Sequence, residues 1–138
     1  MKSIIVPAVA EELDRVQEFV EAELEAYDCP MRAMMQINIV VEEIFVNIAS
    51  YAYRPEVGDA EICCEVDEDP LRVTIQFLDH GKPFDPLAQE DADTSPEALL
   101  ERDGGLGILL VKKSMDAVDY SYKDGKNILT IIKNLDEE

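Results

Sequence analysis

The first part of the chain carries a pattern in which apolar residues recur every three to four positions, the spacing of one face of an α-helix. Between Ala8 and Tyr27 these apolar residues stand among mostly acidic ones; they are Leu13, Val16, Phe19, Val20 and Leu24. A second helical segment runs from about Met31 to Tyr53, and Pro55 and Gly58 close it. Any fold of this chain must therefore accommodate two long consecutive helices.

Strand-like segments precede and follow these helices. Their apolar and β-branched residues predict strands at Ser3–Val6, Glu61–Val66, Leu71–Leu78, Ala117–Tyr122 and Asn127–Lys133. The turns at residues 67–70 and 123–125 predict antiparallel hairpins. A further helix is predicted between the glycine-rich stretch at residues 104–107 and Met115. No repeat or linker divides the chain, so we expect a single domain over residues 1–138.

The composition is strongly acidic, with 31 Asp and Glu against 12 Lys and Arg and a formal net charge of −19. Nucleic-acid binding needs a basic surface that displaces counterions, so we expect no direct contact with nucleic acid or with an anionic membrane. The charge suits a basic protein partner, or it serves solubility alone. The chain has no run of about 18 apolar residues and no signal-peptide pattern, which predicts a cytoplasmic protein without a membrane span.

The three cysteines and the single histidine lack the spacing of a metal site. Cys63 and Cys64 are neighbours in a strand-like segment and therefore point to opposite faces, while Cys29 is left over. We expect neither a zinc site nor a disulfide framework.

The second helix carries the first of three polar groups of residues. At roughly 100° per residue its apolar stripe consists of Ile37, Val40, Val41, Ile44 and Ile48. Asn47 lies at the edge of this stripe and Glu43 just outside it on the same flank, whereas Glu42 points to solvent. A carboxylate beside an amide can hold a metal ion and accept a proton. Because Glu and Asn four residues apart are common on helices, the pair alone is weak evidence.

The second group is Asp79-His80-Gly81, which directly follows an apolar strand. A carboxylate at a strand end can accept a hydrogen bond from an exocyclic amine, and Gly81 lets a flat ring approach the backbone. Asp-x-Gly is also a common turn sequence. His80 is interpreted as a loop residue and not as a catalyst.

The third group is "RDGGLGILLVKKSMD", residues 102–116, in which Gly104, Gly105 and Gly107 open an apolar helix. A helix N-terminus offers unpaired N–H groups and the positive end of the helix dipole, which together form an anion site. Glycines let a phosphate reach those groups. The pattern is neither a Walker motif nor a Rossmann fingerprint. The Pro-containing residues 82–103 precede it, and a connection of this length predicts a lid.

The order and spacing of Glu43-x-x-x-Asn47, Asp79-x-Gly81 and Gly105-x-Gly107 resemble the ATP-binding motifs of the GHKL superfamily, which includes gyrase and histidine kinases. Within it, "EEIFVNIASYAY", "DHGKPFDP" and "GGLGILLVKKSMDAVDY" look most like the bacterial anti-sigma-factor serine/threonine kinases. The resemblance implies the histidine-kinase-like ATPase (Bergerat) fold. This fold is an α/β two-layer sandwich with a mixed, largely antiparallel sheet and helices on one face.

The resemblance also implies a role for the first two groups in binding ATP and Mg²⁺. Asn47 would coordinate the metal ion, and Glu43 would act as the catalytic general base. Asp79 would accept a hydrogen bond from the adenine amino group, and Gly81 would admit the ring.

The later motifs would complete the nucleotide site. Backbone N–H groups of Gly105, Leu106 and Gly107 would contact the phosphates under a lid at about residues 82–103. Thr130, on the last strand, matches a position that often assists at adenine.

The family's function implies an ATP-dependent kinase that phosphorylates a serine or threonine on an antagonist protein of the anti-anti-sigma type and sequesters a sigma factor. Three alternatives stay open. One is a module that binds protein partners in response to ATP without phosphotransfer, and another is a switch kinase of the same family acting on a different partner. The third, a sensor histidine kinase fragment, is disfavoured because the sole histidine, His80, lies inside the nucleotide motif. A homodimer also stays open.

Overall fold

The computed structural model describes residues 1–53, 58–68, 70–83, 85 and 111–135. In chain order, the elements within these residues are β1 (Lys2–Pro7), a 3-10 turn (Ala10–Glu12), α1 (Leu13–Ala26), α2 (Met31–Tyr51), β2 (Asp59–Asp67), β3 (Arg72–Asp79), β4 (Ala117–Lys123) and β5 (Lys126–Asn134). Residues 111–114 are also helical. The five predicted strands and the two predicted long helices are confirmed.

The first helix begins later than its apolar pattern indicates. The sequence predicts a helix from Ala8, whereas the α-helical part starts at Leu13, after the 3-10 turn. Val9, the residue before that turn, is extended and provides no side-chain cap. Valine has no side-chain acceptor for the free N–H groups of a helix start, and tighter 3-10 turns are frequent at the ends of α-helices.

The strands form one sheet in the order β1-β2-β3-β5-β4. All four pairings among the described strands are antiparallel, so none of them supplies the parallel component of a mixed sheet. Alternate residues of the central strand β3 are buried on one face; they are Val73, Ile75, Phe77 and Asp79. Helices α1 and α2 cover that face. The arrangement is the expected α/β two-layer sandwich.

Among the described residues, helix α2 contributes more buried side chains to the core than α1 does. Four residues of the predicted stripe, Ile37, Val40, Val41 and Ile44, are buried, and Phe45 is buried beside them. The fifth, Ile48, is half-buried and packs against the same core. Residues Met31–Ser50 are also long and apolar enough, by composition, to cross a membrane. A core helix meets the same criterion, so this composition alone does not indicate a span.

Helices α1 and α2 pack side by side as an antiparallel hairpin, and Asn38 in α2 fixes their alignment. Its Nδ2 donates to Oε1 of Glu21 at 2.7 Å, and its backbone carbonyl accepts from Nε2 of Gln17 at 3.3 Å. The connecting turn places Asp28 at a φ of 55°, a left-handed conformation that aspartate tolerates better than most residues. The two helices therefore present one continuous outer surface.

Replacing Ile75 by alanine should lower the free energy of unfolding by about 2–5 kcal/mol, because the side chain is fully buried and its loss leaves a cavity. The matched control is Ile5→Ala, also in a strand but 61% exposed, which should cost less than about 1 kcal/mol. Urea denaturation of both variants measures the difference. Equal losses would contradict the placement of the core on the helix-covered face.

Candidate functional site

The polar residues with the most specific contacts meet where the C-terminal end of α2 approaches the end of β3. The backbone N–H of Lys82 donates to the carbonyl of Ala52 at 3.3 Å. A Cβ atom on Gly81 would lie 2.7 Å from the carbonyl carbon of Ala52 and closer still to its oxygen. Glycine is therefore required here by packing against α2, which is a reason for Gly81 that the sequence pattern does not reveal.

Asp79 is the buried carboxylate of this region, with 6% of its surface exposed. Its Oδ1 accepts two hydrogen bonds, from the N–H of Gly81 at 2.9 Å and from Nδ2 of Asn127 at 3.0 Å. Among the described residues, none donates to its Oδ2. One oxygen of the carboxylate is thus held by the protein, and the other keeps its capacity to accept a hydrogen bond.

Asn127 is the residue that sequence reasoning missed. The antiparallel register places it directly opposite Asp79, on β5. Its Nδ2 also donates to the carbonyl of Lys82 at 2.8 Å, and its Oδ1 accepts from the hydroxyl of Tyr120. Three acceptor groups therefore surround the amide nitrogen, since the Gly81 carbonyl lies at 3.4 Å as well. These contacts fix the orientation of the amide. Through them, the side chain on β5 links β4 to the end of β3 and to the segment that follows β3.

Tyr53 connects the end of α2 to both neighbouring strands. Its hydroxyl donates to the carbonyl of Asp59 at 2.6 Å and accepts from the N–H of His80 at 2.7 Å. Its ring lies against Gly58, where an added Cβ would be 2.6 Å from the ring Cδ1. Burial raises the pKa of the Tyr53 phenol, which keeps the proton on this donor. His80 takes part through its backbone, in line with its interpretation as a loop residue.

The first predicted group lies on α2, one to three turns before these contacts. Glu43 and Asn47 are half-buried, whereas Glu42 is exposed. The helical-wheel placement of the three side chains is therefore as expected. Their chemical roles stay predictions.

Thr130 is not brought together with Asp79. The buried residues of β5 alternate, and Asn127, Leu129 and Ile131 lie on the helix-covered face. Thr130 lies on the opposite face of the sheet, where its hydroxyl accepts from Nε2 of Gln76 at 3.3 Å. Its assignment by resemblance to a family position needs correction, because the two-residue repeat of a strand puts Thr130 on the face opposite Asp79. The position beside Asp79 belongs to Asn127.

The remaining predicted site residues, Gly105, Leu106 and Gly107, lie outside the described residues, as does most of the predicted lid at residues 82–103. Within the described part of the chain, no group of three or more His, Cys, Asp or Glu is arranged to hold a metal ion.

The family comparison agrees with this fold. The family described as "Histidine kinase-like ATPase domain" matches residues 6–133. The match covers α1, α2 and the β3–β5 contact, and this chain belongs to that family.

Two curated relatives with the same name show which members of this family the chain resembles. A protein of Staphylococcus epidermidis named serine-protein kinase RsbW is 29% identical over 107 residues, which is 73% of this chain and 65% of the relative. A protein of the same name from Listeria monocytogenes is 31% identical over 103 residues, which is 70% of this chain and 64% of the relative. The matched region thus spans just under two thirds of the length of these relatives.

Solved structures share the fold at low sequence identity. A histidine kinase domain from the blue-light activated histidine kinase of Erythrobacter litoralis EL346 has a TM-score of 0.56 and 16% identity, covering 94% of this chain and 62% of that one. The Acinetobacter baumannii histidine kinase AdeS has a TM-score of 0.52 and 16% identity, covering 99% and 70%. These similarities concern the fold alone.

The Asn127→Asp substitution should lower the free energy of unfolding by about 1–3 kcal/mol or more near neutral pH. A carboxylate there would face the acceptor oxygens of Asp79, Gly81 and Lys82 and would remove the donor that Asn127 supplies to them. Urea denaturation measures the loss. Ser121→Asp adds the same charge at an exposed position of β4 and should stay within about 0.5 kcal/mol of the wild type. Equal stability of both variants would refute the fixed amide orientation.

Proposed function

We propose that this protein binds Mg·ATP and transfers the γ-phosphoryl group to a serine or threonine of an antagonist protein of the anti-anti-sigma type. The nucleotide assignment rests on the burial and hydrogen bonding of Asp79. Its carboxylate is buried, and one of its oxygens accepts from two N–H donors. A group of this kind at a strand end is suited to recognise a donor on a flat ring. The family and the names of the relatives support the same reading.

Adenine recognition follows from hydrogen-bond polarity. Oδ1 of Asp79 is engaged by Gly81 and Asn127, so the exocyclic amine of adenine would donate to Oδ2. Asn127 is a positioning residue in this scheme, since it fixes the carboxylate from the side of β5. The exposed loop residue His80 needs no role beyond its backbone contact.

The phosphate end of the nucleotide would extend toward the flank of α2 that carries Glu43 and Asn47. Mg²⁺ is usually held by few protein ligands together with phosphate oxygens and water, so the amide oxygen of Asn47 fits as a ligand. The metal ion supplies charge neutralisation at the phosphates when bound. The backbone of Gly105, Leu106 and Gly107 completes the phosphate site in this proposal, under a lid at residues 82–103.

In the transfer step the acceptor hydroxyl oxygen forms a bond to the γ-phosphorus while the bond to the β–γ bridging oxygen breaks and ADP leaves. Glu43 takes the proton of the hydroxyl as general base. Catalysis of this kind depends mainly on position and on charge neutralisation.

The regulatory part of the proposal is that the same protein, a single domain over residues 1–138 acting in the cytoplasm, sequesters a sigma factor. Phosphorylation of the antagonist would then keep it from releasing that factor. The net charge of −19 supports a partner with a basic surface. A switch kinase with a different partner, or a binding module without phosphotransfer, are the alternatives; the half-buried Glu43 favours a kinase over such a module.

Saturating Mg·ATP should raise the melting temperature of the wild type, because a ligand that binds only the folded state stabilises it. Asp79→Asn should abolish most of that rise. The amide oxygen can still accept from Gly81 and Asn127, which places an NH₂ group against the adenine amine, donor against donor. Thermal denaturation with and without Mg·ATP measures both effects. Asp119→Asn, at an exposed position, is the control and should keep the full rise.

An unchanged melting temperature of the wild type in saturating Mg·ATP would exclude the nucleotide assignment. A full rise in the Asp79→Asn variant would instead exclude Asp79 as the adenine acceptor.

Glu43→Ala should keep the ATP-dependent rise in melting temperature but reduce phosphotransfer by roughly 10²–10⁴-fold, the usual contribution of a general base. Its neighbour provides the matched control, because Glu42→Ala removes the same group from the exposed side of α2 and should leave the rate near the wild-type value. The assay is transfer from radiolabelled ATP to serine or threonine of the cognate antagonist. Equal rates for both variants would show that the base is misassigned, and ATP-dependent binding of the antagonist without any transfer would favour the binding module.

A further inference from the structure

The side of α2 that faces away from the sheet is unusually apolar. Met31, Met35 and Ile39 are 71%, 59% and 50% exposed, and they recur every four residues along the helix. We call these three residues the apolar row. Surface helices usually carry polar residues on the side opposite the core, and contiguous exposed apolar surface commonly marks an interaction site. Methionine side chains adapt readily to different partners.

An acidic row lies beside the apolar row, on α1. Asp14, Glu18, Glu21 and Glu25 follow one another at intervals of four, three and four residues, which places them on one flank of the helix. The hydrogen bond between Glu21 and Asn38 shows that this flank is the one next to α2. Among the described residues no salt bridge neutralises any of the four carboxylates.

The alignment of the hairpin brings the two rows together. Because α1 and α2 are antiparallel, the turn of α1 that carries Glu25 lies level with the turn of α2 that carries Met35. Arg32 lies on the far side of the apolar row. The outer surface of the hairpin therefore has an apolar strip bordered along one edge by negative charge.

We propose that this surface docks an amphipathic helix of a partner protein, with its apolar side chains on Met31, Met35 and Ile39 and with Lys or Arg residues facing the acidic row. An amphipathic helix laid along an apolar surface is a common recognition mode. The charge along one edge fixes the orientation of the helix and accelerates its association. The proposal goes beyond the nucleotide site and is independent of it, since the apolar row faces away from the core side of α2.

Charge complementarity distinguishes this occupant from two others. A second copy of the chain would bring two acidic rows together, in a protein whose net charge is already −19. A bilayer with anionic lipids would meet the same repulsion. A basic amphipathic helix would instead make favourable contacts with both the apolar row and the acidic row.

The test uses a fluorescently labelled synthetic peptide of about five helical turns, with leucine at the spacing of one helix face and lysine along both borders. Fluorescence anisotropy should show binding to the full chain that weakens as salt is raised. The double substitution Met35→Glu with Ile39→Glu should weaken binding about tenfold or more, and so should Glu18→Lys with Glu25→Lys. The latter pair should also reduce the salt dependence.

Matched control variants carry the same changes elsewhere on the surface. Ile5→Glu replaces an exposed apolar residue of β1, and Glu65→Lys reverses an exposed charge of β2; both should bind the peptide like the wild type. A peptide with glutamate in place of lysine should not bind. The row variants should keep the Mg·ATP-dependent rise in melting temperature, and Asp79→Asn should keep peptide binding, so failure of this proposal and failure of the nucleotide assignment are separate results.

Three outcomes would overturn the proposal. One is equal binding of the lysine and glutamate peptides, and another is unchanged binding by both double variants. The third is binding of a different occupant to the apolar row. If the chain forms a dimer in sedimentation equilibrium and Met35→Glu dissociates it, the occupant is a second copy. If the chain floats with phosphatidylcholine vesicles and Met35→Glu abolishes this, the occupant is a lipid surface.

Discussion

The contact between Asp79 and Asn127 is the interaction on which the polar part of this structure depends. A buried carboxylate is costly unless donors satisfy it, and here the backbone of Gly81 and the amide of Asn127 do so. Because Asn127 also holds the carbonyl of Lys82, the same amide fixes where the chain leaves β3. The other oxygen of Asp79, Oδ2, offers a hydrogen-bond acceptor and no donor. In the proposed nucleotide site it would accommodate the amino group of adenine and oppose the carbonyl that guanine carries at the same ring position.

A second set of contacts joins the site to the helical layer. Tyr53 binds the first residue of β2 and the residue after β3, while Gly81 lies against the end of α2 without room for a side chain. Small shifts of α2 would therefore be transmitted to the segment that begins at Gly81. Glu43 and Asn47 stand on the same helix, so the proposed catalytic flank and the proposed adenine contact share one rigid support.

The sequence predicts much of this architecture because its local signals are strong. The apolar spacing predicts α2, and the burial of its stripe follows directly from the geometry of a helix. Single-sequence patterns contain less information about pairing between distant strands. The choice of Thr130 relied on its resemblance to a family position, whereas the register of β3 with β5 brings Asn127 to Asp79. The alternation within β5 alone does not indicate this, because Ile128 and Ile132 share the parity of Thr130 just as Leu129 and Ile131 share the parity of Asn127. The packing reason for Gly81 could not be predicted, because it depends on where α2 ends in space.

The direct pairing of β3 with β5 has a consequence for how such a domain can vary. The two strands are neighbours in the sheet although the whole connection after residue 79 and β4 lie between them in sequence. The sheet thus constrains only the two ends of that connection. Closing a flexible loop costs free energy that grows with the logarithm of its length, about 0.6 kcal/mol for each doubling. Insertions and deletions that leave the contacts of Gly81, Lys82, Val111 and Met115 in place are therefore inexpensive for the sheet, and related proteins can change the length of this connection while the five-stranded sheet stays the same.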